Sequence, residues 1–139
     1  MDIMSIDYPI VTSDKLRYSD TDRQGHINNA LFSTFLETGR VELIYNPTIV
    51  IKPHDAEFVI ANLNIKYIHE ILWPGTVEIG TVVKKIGNSS LIFEQGIFQN
   101  KQLCASAETV IVQVNVETRK AMPLNSETIE GLKKYLKSE

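Results

Sequence analysis

The residues best suited to chemistry lie close together near the start of the chain, in the segment RYSDTDRQGHINNALF, residues 17–32. It contains Asp20, Asp22 and His26, and an apolar stretch with helical spacing follows. An ionised aspartate can take a proton from water or attack a carbonyl carbon directly. Free N–H groups in the first turn of a helix can stabilise the negative oxygen that forms in such a reaction. One short segment therefore contains both a base or nucleophile and an oxyanion site.

A purely structural interpretation uses the same residues. Asp20 or Asp22 can accept hydrogen bonds from local N–H groups, and Asn28 or Asn29 can cap the helix that follows. The helix dipole also favours a carboxylate at that end without any catalytic role. Spacing alone favours neither interpretation.

Other kinds of catalytic site have weaker support in the sequence. The three histidines, His26, His54 and His69, fall in different predicted elements without the spacing of metal ligands. The sequence has no G-x-S-x-G motif and no glycine-rich phosphate loop. The single cysteine, Cys104, lies in an apolar strand, which predicts a buried and unreactive thiol. We therefore expect neither a metal nor a cofactor.

The spacing of apolar residues predicts the elements that must position the segment. Spacings of three, four and eight in NNALFSTFLETGRVELIYN, residues 28–46, predict a long helix that ends at Asn46 and Pro47. Alternating apolar residues predict one strand before this helix and four after it. The five predicted strands cover residues 8–18, 56–71, 76–87, 90–100 and 102–117. A short polar helix at 125–136, capped by Ser126, is predicted to close the chain.

This order of elements predicts a single α+β domain over residues 1–139. Its five-stranded antiparallel sheet would curl around one long central helix, and the four strands after the helix would form a meander. Gly39 inside the helix indicates that another backbone approaches closely there. The long strands are rich in β-branched residues, so an unpaired sheet edge predicts pairing with a second copy of the chain.

Charge and hydropathy narrow the class of protein. The net charge of −3 argues against a nucleic-acid-binding domain, which usually has a basic face. No apolar stretch is long enough to span a bilayer, and the N-terminal residues lack the basic and apolar regions of a secretory signal. These features predict a cytoplasmic protein without a nucleic-acid or membrane partner.

The segment DTDRQGHINNALFSTFLETGRVELI, residues 20–44, resembles the signature of the hotdog-fold acyl-CoA thioesterases of the 4-hydroxybenzoyl-CoA thioesterase type. In that family a strand leads into D-x-D-x-x-G and then into a long central helix with an E-x-x-R-x-E-like pattern. The matching residues here are Asp20, Asp22, Gly25, Glu37, Arg40 and Glu42. GHINN, residues 25–29, is also similar to the H-x-N-N segment of the acyl-acyl-carrier-protein thioesterases of the same fold.

The resemblance implies roles for several of these residues, and it makes Asp20 a structural residue. Asp22 corresponds to the catalytic carboxylate, and the backbone N–H of Asn29 corresponds to the oxyanion donor. His26 and Asn28 correspond to polar residues near the reacting centre, with His26 acting directly, orienting Asp22 or packing against a partner subunit. The acyl-carrier-protein branch favours asparagine two positions after the aspartate, where this chain has Gln24.

The implied activity is the hydrolysis of an acyl thioester to a free acid and a thiol, in a homodimer or homotetramer with active sites between subunits. The substrate would be a thioester of coenzyme A or of an acyl carrier protein, and no further cofactor is implied. A non-catalytic acyl-CoA-binding protein is the alternative, because a fold does not determine a function. Lys84 and Lys85 could contact the phosphates of coenzyme A, although paired lysines beside a turn are more often solvated surface.

Overall fold

The computed structural model describes residues 3–138. It contains the predicted order of one strand, one long helix, four strands and a short helix. The elements are β1 (Ile10–Lys15), α1 (Phe32–Ile44), β2 (Ala56–Tyr67), β3 (Thr76–Ile86), β4 (Ser90–Gln99), β5 (Gln102–Asn115) and α2 (Ser126–Lys133). Short 3-10 turns cover Ser5–Asp7, Tyr18–Asp20 and Asn29–Leu31. The predicted fold class is confirmed.

The sheet has the strand order β1-β3-β4-β5-β2, and every neighbouring pair is antiparallel. The predicted four-stranded meander is therefore wrong, because only β3, β4 and β5 follow one another, while β2 pairs with β5. Residues 68–75, which link β2 to β3, run beside the Asp22 segment instead of forming a hairpin. In this link the carbonyl of Ile71 accepts a hydrogen bond from the N–H of Ile27 at 2.8 Å, and Leu72 bridges His26. Alternating residues identify strands but not their partners.

A β-bulge changes the inward face of β2. The pairing of β2 with β5 shifts between Ile60 and Asn62. As a result Phe58 packs on the core from one half of the strand, and Leu63 and Ile65 pack on it from the other. Uniform alternation instead predicts that Val59 lies on the same face as Leu63, which is incorrect because a bulge inverts the alternation.

A 3-10 turn separates the capping residue Asn28 from the start of the long α-helix. The side chain of Asn28 accepts a hydrogen bond from the N–H of Ala30 at 3.0 Å and so caps the 3-10 turn Asn29–Leu31. The α-helix starts at Phe32 and packs across β1, β3 and β4. Its buried residues are Phe32, Phe35, Leu36, Gly39, Arg40, Leu43 and Ile44.

A layer of polar side chains divides the core in two. One apolar cluster contains Phe32, Leu36, Ile79, Ile97 and Ala107, and the other contains Leu43, Val83, Leu91, Phe93 and Ile111. Between them, on α1, β3, β4 and β5 respectively, lie four buried polar residues, which we call the polar belt: Arg40, Thr81, Gln95 and Thr109.

Gly39 lies directly against this belt. A Cβ atom at Gly39 would lie 2.6 Å from Cγ2 of Ile79, 2.7 Å from Nε2 of Gln95 and 2.8 Å from Oγ1 of Thr81. These distances are shorter than van der Waals contact, so only glycine fits. The predicted close approach is present, but the neighbours are side chains of the sheet and not another backbone.

The C-terminal helix α2 covers the second apolar cluster. Its cap is Asn125, whose Oδ1 accepts a hydrogen bond from the N–H of Thr128 at 2.8 Å, and not Ser126 as predicted. Asn125 takes this position because it precedes the first helical residue with an extended backbone. No helix within residues 3–138 combines the length and the apolar character that crossing a membrane requires.

Candidate active site

Asp22 lies in an exposed loop between β1 and α1, where backbone groups fix its orientation. Its Oδ1 accepts hydrogen bonds from the N–H groups of Gln24 at 2.8 Å and His26 at 3.1 Å. Its own N–H donates to the carbonyl of His26 at 2.7 Å, and Gly25 takes the positive φ of +86° that closes the turn. Within residues 3–138, Oδ2 of Asp22 has no hydrogen-bond partner. One carboxylate oxygen is therefore held in place and the other is open to reaction.

Asp20 stabilises the loop through hydrogen bonds to the backbone on either side of it. It is buried, and its Oδ2 accepts a hydrogen bond from the N–H of Arg17 at 2.8 Å. Its carbonyl accepts a second hydrogen bond from the N–H of Asn28 at 2.9 Å. These bonds connect the end of β1 to the start of the helical segment, so Asp20 stabilises the loop and does not face the cleft.

A cleft of about 410 Å³ opens beside this loop. It is lined by Asp22, Gln24, His26, Ile27, Asn29, Phe32, Tyr67, Ile68, His69 and Glu70. Three of the predicted site residues, Asp22, His26 and Asn29, therefore share one cleft. Asn28 does not line it, because its side chain caps the adjacent turn.

Lys84 and Lys85 lie apart from the cleft, near the end of β3. Nζ of Lys84 is 2.7 Å from Oε2 of Glu108 and 3.8 Å from Oε1 of Glu94. Hydrogen bonding to Glu108 raises the pKa of Lys84. A contact between these lysines and coenzyme A stays a prediction.

The N–H of Asn29 begins the helical segment and faces no internal acceptor. The neighbouring N–H of Ala30 is occupied by the Asn28 side chain, whereas the Asn29 N–H donates to no group of residues 3–138. Asn29 is exposed and lines the same cleft as Asp22. This N–H at the start of the helical segment is therefore free to donate to an acceptor outside the described residues.

Glu70 is a cleft residue that sequence reasoning missed. Its Oε2 lies 3.1 Å from Nε2 of His26, and both side chains are partly exposed. Its carbonyl oxygen lies 2.8 Å from Nδ1 of His69. In the sequence, His69 and Glu70 form a polar pair at the end of a strand, which is typical of a solvent-exposed surface. Only the docking of residues 68–75 along the Asp22 loop, which the sequence does not reveal, brings Glu70 to His26.

Tyr67 is the second cleft residue that the sequence did not single out. It is the last residue of β2, and its hydroxyl donates a hydrogen bond to the carbonyl of Asn29 at 3.3 Å. Its ring also packs on Phe32, with ring centroids 5.1 Å apart. The alternating pattern that predicts this strand says nothing about a contact between Tyr67 and the helix start.

Cys104 and the histidines offer no second reactive centre in the described residues. Cys104 is buried on β5, and burial raises the pKa of its thiol, so the predicted buried cysteine is confirmed. Within residues 3–138 no group of three or more histidine, cysteine, aspartate or glutamate side chains is placed to hold a metal ion.

Comparison with known proteins identifies the family. The family model of the thioesterase-like superfamily matches residues 16–132. The long-chain acyl-CoA thioesterase FadM of Escherichia coli is 28% identical over 130 residues, which cover 91% of this chain and 98% of that protein.

Solved structures agree with this result. A protein from Pseudomonas aeruginosa has the same fold, with a TM-score of 0.86, 22% identity, and coverage of 97% of this chain and 96% of that one. A thioesterase from Thermus thermophilus, solved with coenzyme A and zinc, matches with a TM-score of 0.77, 27% identity, and coverage of 90% and 98%. The chain therefore belongs to the thioesterase-like superfamily and has the hotdog fold.

Proposed function

We propose that this protein is an acyl-CoA thioesterase in which Asp22 supplies the reacting carboxylate and the Asn29 N–H polarises the thioester carbonyl. The observation that carries the proposal is that one cleft is lined both by Asp22, whose Oδ2 has no partner in the described residues, and by Asn29, whose N–H has none there. Family membership supports thioester hydrolysis. Two similar proteins support coenzyme A as the thiol. The Escherichia coli relative is a long-chain acyl-CoA thioesterase, and the Thermus protein was solved with coenzyme A.

The proposed reaction uses the two oxygens of Asp22 differently. Oδ1 stays bonded to the N–H groups of Gln24 and His26 and keeps the carboxylate in position. Oδ2 either removes a proton from a water that attacks the carbonyl carbon, or attacks that carbon itself to form an anhydride that water then cleaves. In both routes the C–S bond breaks, one water is consumed, the coenzyme A thiolate receives a proton and the Asp22 carboxylate is regenerated.

His26 and Asn28 have supporting roles in this proposal. The main chain of His26 both donates to and accepts from Asp22, so the position of His26 determines the position of the carboxylate. Glu70 holds the His26 ring, which links the loop to the segment after β2. Asn28 caps the turn that presents the Asn29 N–H.

We also propose that the protein works as a homodimer through the free edge of β2. Within the described residues β2 pairs on one side only, with β5, and Ile60 is 52% exposed in the middle of this edge. Tyr67, at the end of β2, lines the cleft, so a second copy along this edge would border the active site. Ile60→Lys should therefore yield a monomer by size-exclusion chromatography with light scattering, and thioesterase activity should fall with it. A dimer that persists contradicts this assignment of the interface.

The central experiment is a free-thiol assay with acyl-CoAs of short, long and aromatic acyl groups and with an acyl-carrier-protein thioester. Asp22→Asn is the decisive variant, because an asparagine side-chain oxygen can still accept the two backbone hydrogen bonds that shape the loop. We expect its kcat to fall by about 100- to 10,000-fold, the usual range for loss of a catalytic base.

Asp14→Asn is the matched control. Asp14 lies on β1, away from the lining of the cleft, and the same change of charge there should leave kcat within twofold of the wild type. If the wild type hydrolyses none of the thioesters, the proposed enzyme function is wrong. If Asp22→Asn keeps full activity, the function stands and the assignment of the carboxylate is wrong.

A further inference from the structure

Tyr67 places a hydroxyl group beside the proposed oxyanion donor. Its hydroxyl donates to the carbonyl of Asn29, the residue whose N–H is the proposed oxyanion donor, at the long distance of 3.3 Å. Tyr67 is 55% exposed and lines the cleft, so a substrate in the cleft can contact this residue. The ring is held separately by its packing on Phe32.

Three other donors near the helix start already have partners. The N–H of Ala30 donates to the side chain of Asn28 at 3.0 Å. Nε2 of His26 lies 3.1 Å from Oε2 of Glu70, and Nδ1 of His69 lies 2.8 Å from the carbonyl oxygen of Glu70. The Tyr67 hydroxyl, by contrast, is a side-chain donor in direct contact with Asn29 itself.

The hydroxyl can leave its present acceptor at little cost. The carbonyl of Asn29 also accepts a hydrogen bond from the N–H of Phe32 at the end of the 3-10 turn. It therefore keeps a partner when Tyr67 turns away, and no buried group is left unsatisfied. A long hydrogen bond between exposed groups is also weaker than one made to a developing negative charge.

We propose that Tyr67 is a catalytic residue whose hydroxyl is the second oxyanion donor. This inference rests on the proposed thioesterase function. When a thioester occupies the cleft, the hydroxyl of Tyr67 exchanges the Asn29 carbonyl for the thioester oxygen and donates beside the Asn29 N–H. The two donors strengthen together as negative charge develops on that oxygen, so the gain appears in the transition state more than in substrate binding.

The test compares Tyr67→Phe with Tyr45→Phe in steady-state hydrolysis of dodecanoyl-CoA. Phenylalanine preserves the ring that packs on Phe32 and removes only the hydroxyl. Tyr45 is another exposed tyrosine, at the end of α1, and does not line the cleft, so its replacement controls for loss of a phenol. We expect kcat of Tyr67→Phe to fall by about 10- to 100-fold with KM within twofold, since removing one oxyanion donor reduces kcat at about this scale or above. Tyr45→Phe should match the wild type.

A merely structural tyrosine would give a different result. If kcat of Tyr67→Phe stays within twofold of the wild type, or if the whole loss lies in KM, the inference is wrong. Replacing Tyr67 with 3-fluorotyrosine provides a second test that keeps the side-chain shape. Its phenol is a stronger hydrogen-bond donor, so below the pH at which it ionises kcat should rise. An unchanged kcat contradicts the inference.

The same data separate this inference from the proposed function. If the wild type hydrolyses dodecanoyl-CoA and Asp22→Asn does not, while Tyr67→Phe is fully active, only the role of Tyr67 is wrong. If the wild type hydrolyses no thioester at all, both proposals are wrong.

Discussion

Two polar regions lie along the same helix, one at its start and one at its middle, and they differ in how their hydrogen bonds are satisfied. In the cleft, main-chain groups hold Asp22 by one oxygen, while its Oδ2 and the Asn29 N–H have no partner within the described residues. In the polar belt, side chains satisfy one another. Gln95 donates to the carbonyl of Leu36 and to Thr81, both at 2.9 Å, and accepts from Nη1 of Arg40 at 3.3 Å.

Burial explains the difference between these regions. Water satisfies an open carboxylate oxygen or N–H at the surface, so the cleft can leave reactive groups free without a large loss of stability. Arg40 is only 3% exposed, and no carboxylate within residues 3–138 lies close enough to form an ion pair with it. Burial lowers the pKa of Arg40, while the charge of Glu37 opposes that change. Substitutions in the belt should therefore change stability, and substitutions in the cleft should change turnover.

The largest effect is expected for Gln95→Leu. This change removes two donated hydrogen bonds and leaves the buried guanidinium of Arg40 with Thr109 as its remaining partner, also at 3.3 Å. We expect a loss of about 3 kcal/mol in the free energy of unfolding, because a buried charged group loses an acceptor. Urea unfolding followed by circular dichroism measures it.

Gln102→Leu is the matched control for this variant. Gln102 is exposed at the start of β5 and makes only a local hydrogen bond to the carbonyl of Leu103, so its replacement should change stability by less than about 0.5 kcal/mol. Activity per folded molecule should stay near the wild-type value in both variants. Equal stability losses in the two variants would show that the belt has no special role.

Gly39→Ala should have the next largest effect. The added methyl group would lie 2.6 Å from Cγ2 of Ile79 and 2.7 Å from Nε2 of Gln95, so these buried side chains or α1 itself must shift. Overpacking of this kind costs about 2 kcal/mol, which outweighs the better helix propensity of alanine. Thermal unfolding compares it with Glu42→Ala on the exposed side of the same helix. An increase in stability on replacing Gly39 would contradict the observed packing.

The sequence predicts the two regions unequally well. Local patterns suffice for the strands, the long helix and the Asp22 segment, because hydrophobic period and turn-forming residues are encoded over a few positions. The belt and the His26–Glu70 contact depend on long-range pairing. Gln95 meets Arg40 only because β4 lies under α1, and Glu70 meets His26 only because β2 pairs with β5, not β3. The hydrophobic period of a segment does not specify which other segment packs against it, so the sequence did not predict these contacts.

Glu70→Gln should change turnover without changing stability. Both side chains of the His26–Glu70 pair are partly exposed, and an exposed contact of this kind contributes at most about 1 kcal/mol. Glutamine fills the same space but binds the His26 ring less strongly. Because the main chain of His26 is hydrogen-bonded to Asp22, a shift of His26 also displaces the carboxylate. We expect a fall in kcat of about 10-fold, less than the roughly 100-fold that a misplacement of about 1 Å can cost.

Glu57→Gln is the control for Glu70→Gln, because Glu57 forms an exposed ion pair with Arg119 on the surface away from the cleft. It should leave kcat unchanged. If both variants lose activity equally, a general effect of surface charge is responsible and Glu70 has no specific role.

The smallest effect is expected for alkylation of Cys104, which tests how deeply the cleft penetrates the core. Cys104 belongs to the apolar cluster that also contains Ile27 and Phe32, two residues that line the cleft. Its thiol is nevertheless fully buried, and burial raises its pKa, so the reactive thiolate is disfavoured at neutral pH. Iodoacetamide should therefore leave the native protein unmodified by mass spectrometry and leave kcat unchanged, whereas in urea the cysteine should react at the rate of a free thiol. Modification of the native protein at that rate would mean that the cleft opens through Ile27 and Phe32 to β5, and the separation between an open cleft and a closed core would no longer hold.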